Sequence, residues 1–127
     1  MSNNSYVLDS NFIIRASYKD NPEHKFILQI LKTASFIIPT IVVAEVLARV
    51  NDLEQQQLLA FLEISRVIDL DLSLAQQAAD LRKQSLKKKK AYLLDCIVAA
   101  TALKTKSILL TNNVKDYISF PIQLKSF

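Results

Sequence analysis

Glycine is absent from all 127 residues, where a chain of this length ordinarily carries about nine. Its absence excludes the P-loop and the dinucleotide fingerprint, because both need glycine where backbone closes on a phosphate. Cysteine is nearly as scarce: Cys96 stands alone, which rules out an intrachain disulfide and agrees with a reducing compartment. His24 is the single histidine, so a His-rich zinc site or a Ser-His-Asp triad lacks its parts, and any metal here has to be held mainly by oxygen. No apolar run approaches the ~18 residues that span a bilayer, and no basic segment leads into an apolar stretch at the start. The expectation is a soluble, cytoplasmic protein with no membrane attachment.

What the chain does have is apolar surface. Half of its residues are hydrophobic, enough for a core and against disorder, and the length suits one domain over residues 1–127. Sixteen Lys and Arg against twelve Asp and Glu leave a formal charge of +4, an excess that permits a polyanionic partner without requiring one.

Apolar, β-branched runs at 5–9, 35–40, 66–71, 107–111 and 121–127 predict five strands. Helical patterns lie between them, and strands alternating with helices imply an α/β fold with a mainly parallel sheet. Asn21 followed by Pro22 and Glu23 predicts a helix start, with Glu23 placed favourably against the helix dipole and Phe26, Ile27, Ile30 and Leu31 as the buried stripe. Ser73 with Gln76 has the spacing of a capping box, and Thr40 can cap the segment "IVVAEVLARV". An apolar helix is expected from Leu93 to Lys104, ending at "KTKS" without the usual C-terminal glycine, which predicts a strained turn.

Four acids then call for explanation. Asp9 follows the apolar "YVL", Glu45 is embedded in "IVVAEVLAR", Asp95 in "LLDCIVAA", and Asp116 follows the "SILL" strand in "LLTNNVKDY". A carboxylate in an apolar setting needs a partner or a cation, and all four positions fall where α/β sheets carry chemistry, beyond the carboxyl ends of the strands. Each has an ordinary explanation by itself: Asp9 as a strand-end cap, Glu45 paired with Arg49, Asp95 favoured at a helix N-terminus, Asp116 as loop polarity. Together they point to a hard divalent cation, Mg²⁺ or Mn²⁺, which takes carboxylates and water and can activate that water and stabilise charge on a phosphoryl oxygen. Asp69 and Asp71 alternate with Ile68, Leu70 and Leu72 and read instead as the solvated side of an edge strand. Cys96 reads as a small core residue, and His24 has no companion ligand. The run Lys87, Lys88, Lys89 and Lys90 reads equally as a solvated helix end and as a grip on RNA phosphates.

These segments resemble the PIN-domain ribonucleases, in particular the VapC-type toxins of toxin–antitoxin modules. "YVLDSNFIIRA" resembles their opening strand and first acid, "IPTIVVAEVLAR" the glutamate segment, "LLDCIVAATAL" the third-acid helix, and "LLTNNVKDY" the closing motif. The matches run in order over essentially the whole chain. The resemblance implies a three-layer α/β/α architecture, a homodimer, Mg²⁺- or Mn²⁺-dependent endoribonuclease activity and a small cognate antitoxin. It carries the family's acids onto Asp9, Glu45, Asp95 and Asp116, and the polar residues around them onto Ser10, Thr111 and Asn113. The chain departs from the family at "KTKS", where a glycine is common, and at "SLKKKKAYLL", where a short loop with glycine or proline usually enters the third-acid helix.

Two other readings compete. A PIN-like module that grips RNA or a partner protein without cutting would need none of the four acids. A receiver wants paired acids before its acceptor, and a haloacid-type phosphatase wants an acid two residues after its nucleophile, where this chain has Asn11.

Overall fold

The structure is a computed structural model that describes residues 4–85 and 92–127. Five strands form one fully parallel sheet in the order β3-β2-β1-β4-β5: β1 (Ser5–Leu8), β2 (Ser35–Pro39), β3 (Arg66–Ile68), β4 (Ile108–Thr111) and β5 (Gln123–Ser126). The helices are α1 (Ser10–Ala16), α2 (Pro22–Ile30), α3 (Thr40–Leu47), α4 (Asp52–Glu63), α5 (Leu72–Ser85), α6 (Leu93–Thr105) and α7 (Val114–Tyr117). The α/β class and the five parallel strands flanked by helices are as expected. The three inner strands are continuous apolar runs because helices cover them: Val7, Leu8, Phe36, Ile37, Ile38, Leu109 and Leu110 are buried, whereas β3 and β5 at the edges are mostly exposed. Helix α6 packs on β1, β2 and β4 and is buried from Cys96 to Ala102, so its polar start at Asp95 is held at a fixed place by a long apolar anchor.

Several local expectations need correction. Strand β3 ends at Ile68, so Asp69 and Asp71 are not strand residues. Asp71 instead caps α5, accepting the Leu74 N–H at 2.8 Å, and lies 3.5 Å from the Lys104 ammonium. The helix begins one residue ahead of Ser73, and its cap is the acid rather than the Ser73/Gln76 pair. Thr40 is the first residue of α3, whose N-cap position is Pro39, without a side-chain cap. Leu31 is 40% exposed and lies outside the buried stripe of α2. The strained turn is present: Lys106, which ends α6, has φ 54° and ψ 47°, a left-handed conformation that costs a residue with a Cβ what glycine would be spared.

Candidate active site

Parallel pairing builds the first half of the site. Leu8 of β1 stands opposite Leu110 of β4, so the next residues, Asp9 and Thr111, leave the sheet side by side although they are 102 positions apart in sequence. Thr111 Oγ1 donates to Asp9 Oδ2 at 2.6 Å and itself accepts the Asn113 N–H at 2.9 Å. Asp9 Oδ1 accepts the Phe12 N–H at 2.9 Å, so the residue is also the N-cap of α1. The cap does not exhaust it. An ionised carboxylate offers about four lone-pair directions, and the protein donors fill two. Burial pushes the Asp9 carboxyl above its ordinary range, against the pull of Thr111 and Phe12, and the Asp116 charge adds to the rise.

The other acids arrive from separate helices. Glu45 lies in α3, and its carboxyl is raised by burial first; Arg49 opposes this, the Asp9 charge adds to it, and the Ser10 hydroxyl opposes it again. The alternative pairing of Glu45 with Arg49 forms no ion pair: among the described residues Arg49 donates to Asn11 Oδ1 at 3.1 Å and no salt bridge reaches Glu45. Asp95, in the first turn of α6, is pushed up to about 6 by burial, then by Asp116, with Asp9 and Glu45 adding their charges. Asp116 lies exposed in α7.

The charges of Asp116, Asp9 and Glu45 all push Asp95 up, that of Asp116 pushes Asp9 up and that of Asp9 pushes Glu45 up, so acids from four separate segments are within electrostatic reach of Asp95. Among the described residues, no three His, Cys, Asp or Glu side chains are already gathered as a ligand cluster. Mg²⁺ keeps several waters and needs only one or two direct carboxylates. An all-oxygen set with no lysine or arginine bridging it among the described residues fits such an ion.

Of the polar residues, Ser10 opens α1 beside Glu45, Thr111 is fully buried, and Asn113 contributes its backbone N–H while lying exposed. Lys87 to Lys90 lie outside the described residues. Cys96 is buried with its thiol raised by burial, in keeping with a core role, and His24 Nδ1 contacts the Ala16 carbonyl at 2.7 Å.

Sequence reasoning missed two residues. Tyr117 is buried, and its hydroxyl donates to Asp95 Oδ1 at 3.3 Å; burial, then the charges of Asp9 and Asp95, push its phenol well above the ordinary range, so it remains a donor. Its position directly after Asp116, closing an apolar-periodic turn, is the signal that could have found it. Glu23, expected to serve only the helix dipole, is fully buried and binds Arg15 and Asn112. Nothing local signals that.

A parallel sheet of this order, with Asp9 just beyond β1 and Thr111 at the end of β4 beside it, defines the α/β class in which this site is built. The PIN domain matches residues 6–116, and the chain belongs to that family. Solved structures share the fold over nearly the whole chain. A structure of VapBC2 from Rickettsia felis bound to a promoter DNA fragment contains a chain 23% identical, with TM-score 0.82, covering 97% of this chain and 98% of that one. DNA-bound VapBC from Salmonella typhimurium gives 24% identity and TM-score 0.73 over 97% and 98%. VapC20 of Mycobacterium tuberculosis, a sarcin-ricin loop cleaving toxin, gives 12% identity and TM-score 0.68 over 91% and 95%. No curated protein matches the chain at a significant level.

Proposed function

We propose that this protein is a divalent-metal-dependent endoribonuclease, the toxin of a toxin–antitoxin pair, with Asp9, Glu45, Asp95 and Asp116 as the residues that hold Mg²⁺ or Mn²⁺ at the site of cleavage. The observation that carries the reading is that the charges of Asp116, Asp9 and Glu45, each from a different segment, reach Asp95, which burial and those charges raise to about 6. A bound ion supplies water activation and charge stabilisation at the phosphodiester. The chain's own residues do the rest. Phe12 N–H and Thr111 Oγ1 orient Asp9, Tyr117 orients Asp95, and Ser10 lies beside Glu45, so the acids are presented in one arrangement before substrate arrives. The lysine run at 87–90 would track the RNA backbone without reading sequence.

The partner reading rests on likeness to VapBC complexes and on a groove. An apolar hollow of about 410 Å³ lies among α1 to α4, lined by Ile13, Ile27, Leu28, Leu58 and Phe61, with Leu28 59% exposed beside it. A short amphipathic segment of an antitoxin fits such a surface, and a basic side chain following it would reach the acids. Homodimerisation and a cytoplasmic setting belong to the same proposal; among the described residues no helix is long and apolar enough to cross a membrane.

The test is to map 5′ ends after incubating total RNA with the protein and Mn²⁺, alongside Asp9→Asn and an EDTA control. New ends specific to the wild type with metal are expected. Identical ends in all three arms would leave the non-cutting module as the better reading.

A further inference from the structure

Glu23 lies outside the acid cluster, yet with 0% exposure it is more completely buried than Asp9 at 5%. Its Oε2 receives both the Arg15 guanidinium and Asn112 Nδ2, the latter at 2.6 Å. Among the described residues, Glu23 Oε1 and Asn112 Oδ1 have no donor. Every side-chain contact of this carboxylate therefore passes through one oxygen and two partners, and removing either partner leaves a buried charge to bear most of its desolvation cost. Burial pushes the carboxyl up, but Arg15, then the residue's own backbone N–H and Asn112, outweigh it and hold it below the usual range, so at neutral pH it is an acceptor only.

Asn112 is the informative partner. It sits between Thr111, whose hydroxyl holds Asp9, and Asn113, whose N–H holds that hydroxyl. Its Nδ2 also reaches the Phe127 carbonyl at 3.4 Å, and the Phe127 N–H donates to the Thr111 carbonyl at 3.3 Å. The loop leaving β4 is thus tied to Asp9 through Thr111 and to α2 through Asn112, and it runs directly into Asp116 and Tyr117.

We propose that Glu23 is a positioning residue for the acid cluster, acting through Asn112 to fix the loop 111–113 and with it the Asp9–Thr111 contact. The proposal rests on the metal-dependent cleavage of the preceding section. Glu23 touches neither the ion nor the substrate; it sets where Thr111 stands and where α7 begins.

Steady-state cleavage of one RNA with Mn²⁺ tests it, well below the melting temperature, for Glu23→Leu, Glu23→Gln, Asn112→Ala and the Glu23→Leu/Asn112→Ala pair. Glu23→Leu and Asn112→Ala should each lower kcat by about tenfold or more with KM within about twofold, as expected for groups that orient ligands. The double variant should fall no further than either single one, because both remove the same tie. Glu23→Gln, which keeps an oxygen for Asn112, should restore kcat to within about threefold of wild type. Amide hydrogen exchange in the metal-free proteins gives a readout independent of activity: the Asn113 amide should exchange at least about tenfold faster in Glu23→Leu and Asn112→Ala, with Val7 in β1 unchanged. Unchanged Asn113 exchange overturns the proposal, and so does faster exchange with unaltered kcat. Should the wild type cleave nothing, the functional reading fails while exchange still decides the positioning role. Should Glu23→Leu not fold, Asn112→Ala carries the test by itself.

Discussion

Glu23, fully buried, and the acids Asp9, Glu45 and Asp95, of which Asp9 is buried and the other two half-buried, behave in opposite ways. Glu23 has a guanidinium and an amide on its charged oxygen, and its carboxyl is held below the ordinary range. Asp9, Glu45 and Asp95 are raised by burial first, with the charges of neighbouring acids adding to it. Burial acts on both groups. The difference is the partner: Glu23 binds a guanidinium supplied by the fold, whereas among the described residues Asp9 and Asp95 receive only neutral donors, from Thr111, Phe12 and Tyr117, and in the proposed function a divalent cation supplies the missing charge. An acid ion-paired within the fold holds structure in place, and acids without such a pair carry repulsion that a bound cation would relieve.

The sharpest way to break this contrast is to neutralise members of each group. Asp9→Asn, Glu45→Gln and Asp95→Asn should each lower RNA cleavage by at least about a hundredfold in folded protein, because charge needed at the phosphoryl group is removed. Glu23→Gln should stay within a few-fold of wild type. Asp116→Asn should fall between, since the residue is exposed and a ligand at that place can act through water. Full activity in Asp95→Asn, in a preparation free of other nucleases, would end the metal-site proposal.

Stability should separate the groups by sign. Arg15→Ala leaves Glu23 buried with one partner and should cost about 1–3 kcal/mol, towards the lower end because Arg15 is half-exposed. Asp95→Asn should instead raise the melting temperature of the protein in EDTA, by removing repulsion. Equilibrium urea unfolding and thermal melts measure both, and a shift of the same sign in the two variants would erase the distinction.

A pH series sharpens it further. A carboxyl whose folded pKa lies above its unfolded value binds its proton more tightly when folded, so it costs stability as pH rises past the unfolded value and costs it fully above the folded one. For Asp95 that window runs from 3.8 to about 6. Glu23, held low, contributes stability that is complete above its unfolded value and is lost as pH falls through the lower folded one. Metal-free wild type should therefore lose stability between about pH 4 and 6, and Asp95→Asn should lose less. At pH 7, Mn²⁺ should restore it by roughly 1.4 kcal/mol per tenfold rise in concentration above the dissociation constant, with much less effect on Asp9→Asn. A wild type whose melting ignores both pH in this window and Mn²⁺ would place the cluster with Glu23 as structural polarity.

The smallest expected effect concerns the substrate's charge rather than the protein's. Replacing Lys87 to Lys90 with serine should weaken RNA binding and flatten its salt dependence, by about 0.7 in log–log slope for each phosphate of the single strand that the lysines no longer neutralise. Cleavage positions should stay the same. An unaltered slope would make the run a solvated helix end.

Much of this was legible before any fold was known. The strands were readable because inner parallel strands are apolar on both faces, and β1, β2 and β4 are such runs. Glu45 and Asp95 stood out because a lone acid in an apolar helix is costly. Edge strand β3 was read too long because Asp69 and Asp71 mimic its alternation, and Asp71 turned out to cap a helix. Glu23 was illegible in its role because its decisive partner, Asn112, is 89 positions away, and the exposed-looking "NPEHK" carries no trace of that contact.

The sequence by itself determined the α/β alternation and singled out four acids as candidates for an oxygen-held metal site, since each follows from local pattern and from the cost of a carboxylate among apolar neighbours. Tertiary structure alone decided which acids are raised and which is held low. That outcome depends on whether the partners of each carboxyl outweigh its burial, as Arg15 does for Glu23 and Arg49 does not for Glu45, and proximity between Asp9 and Thr111, or between Glu23 and Asn112, exists only after parallel strands and their helices bring distant residues within hydrogen-bonding reach.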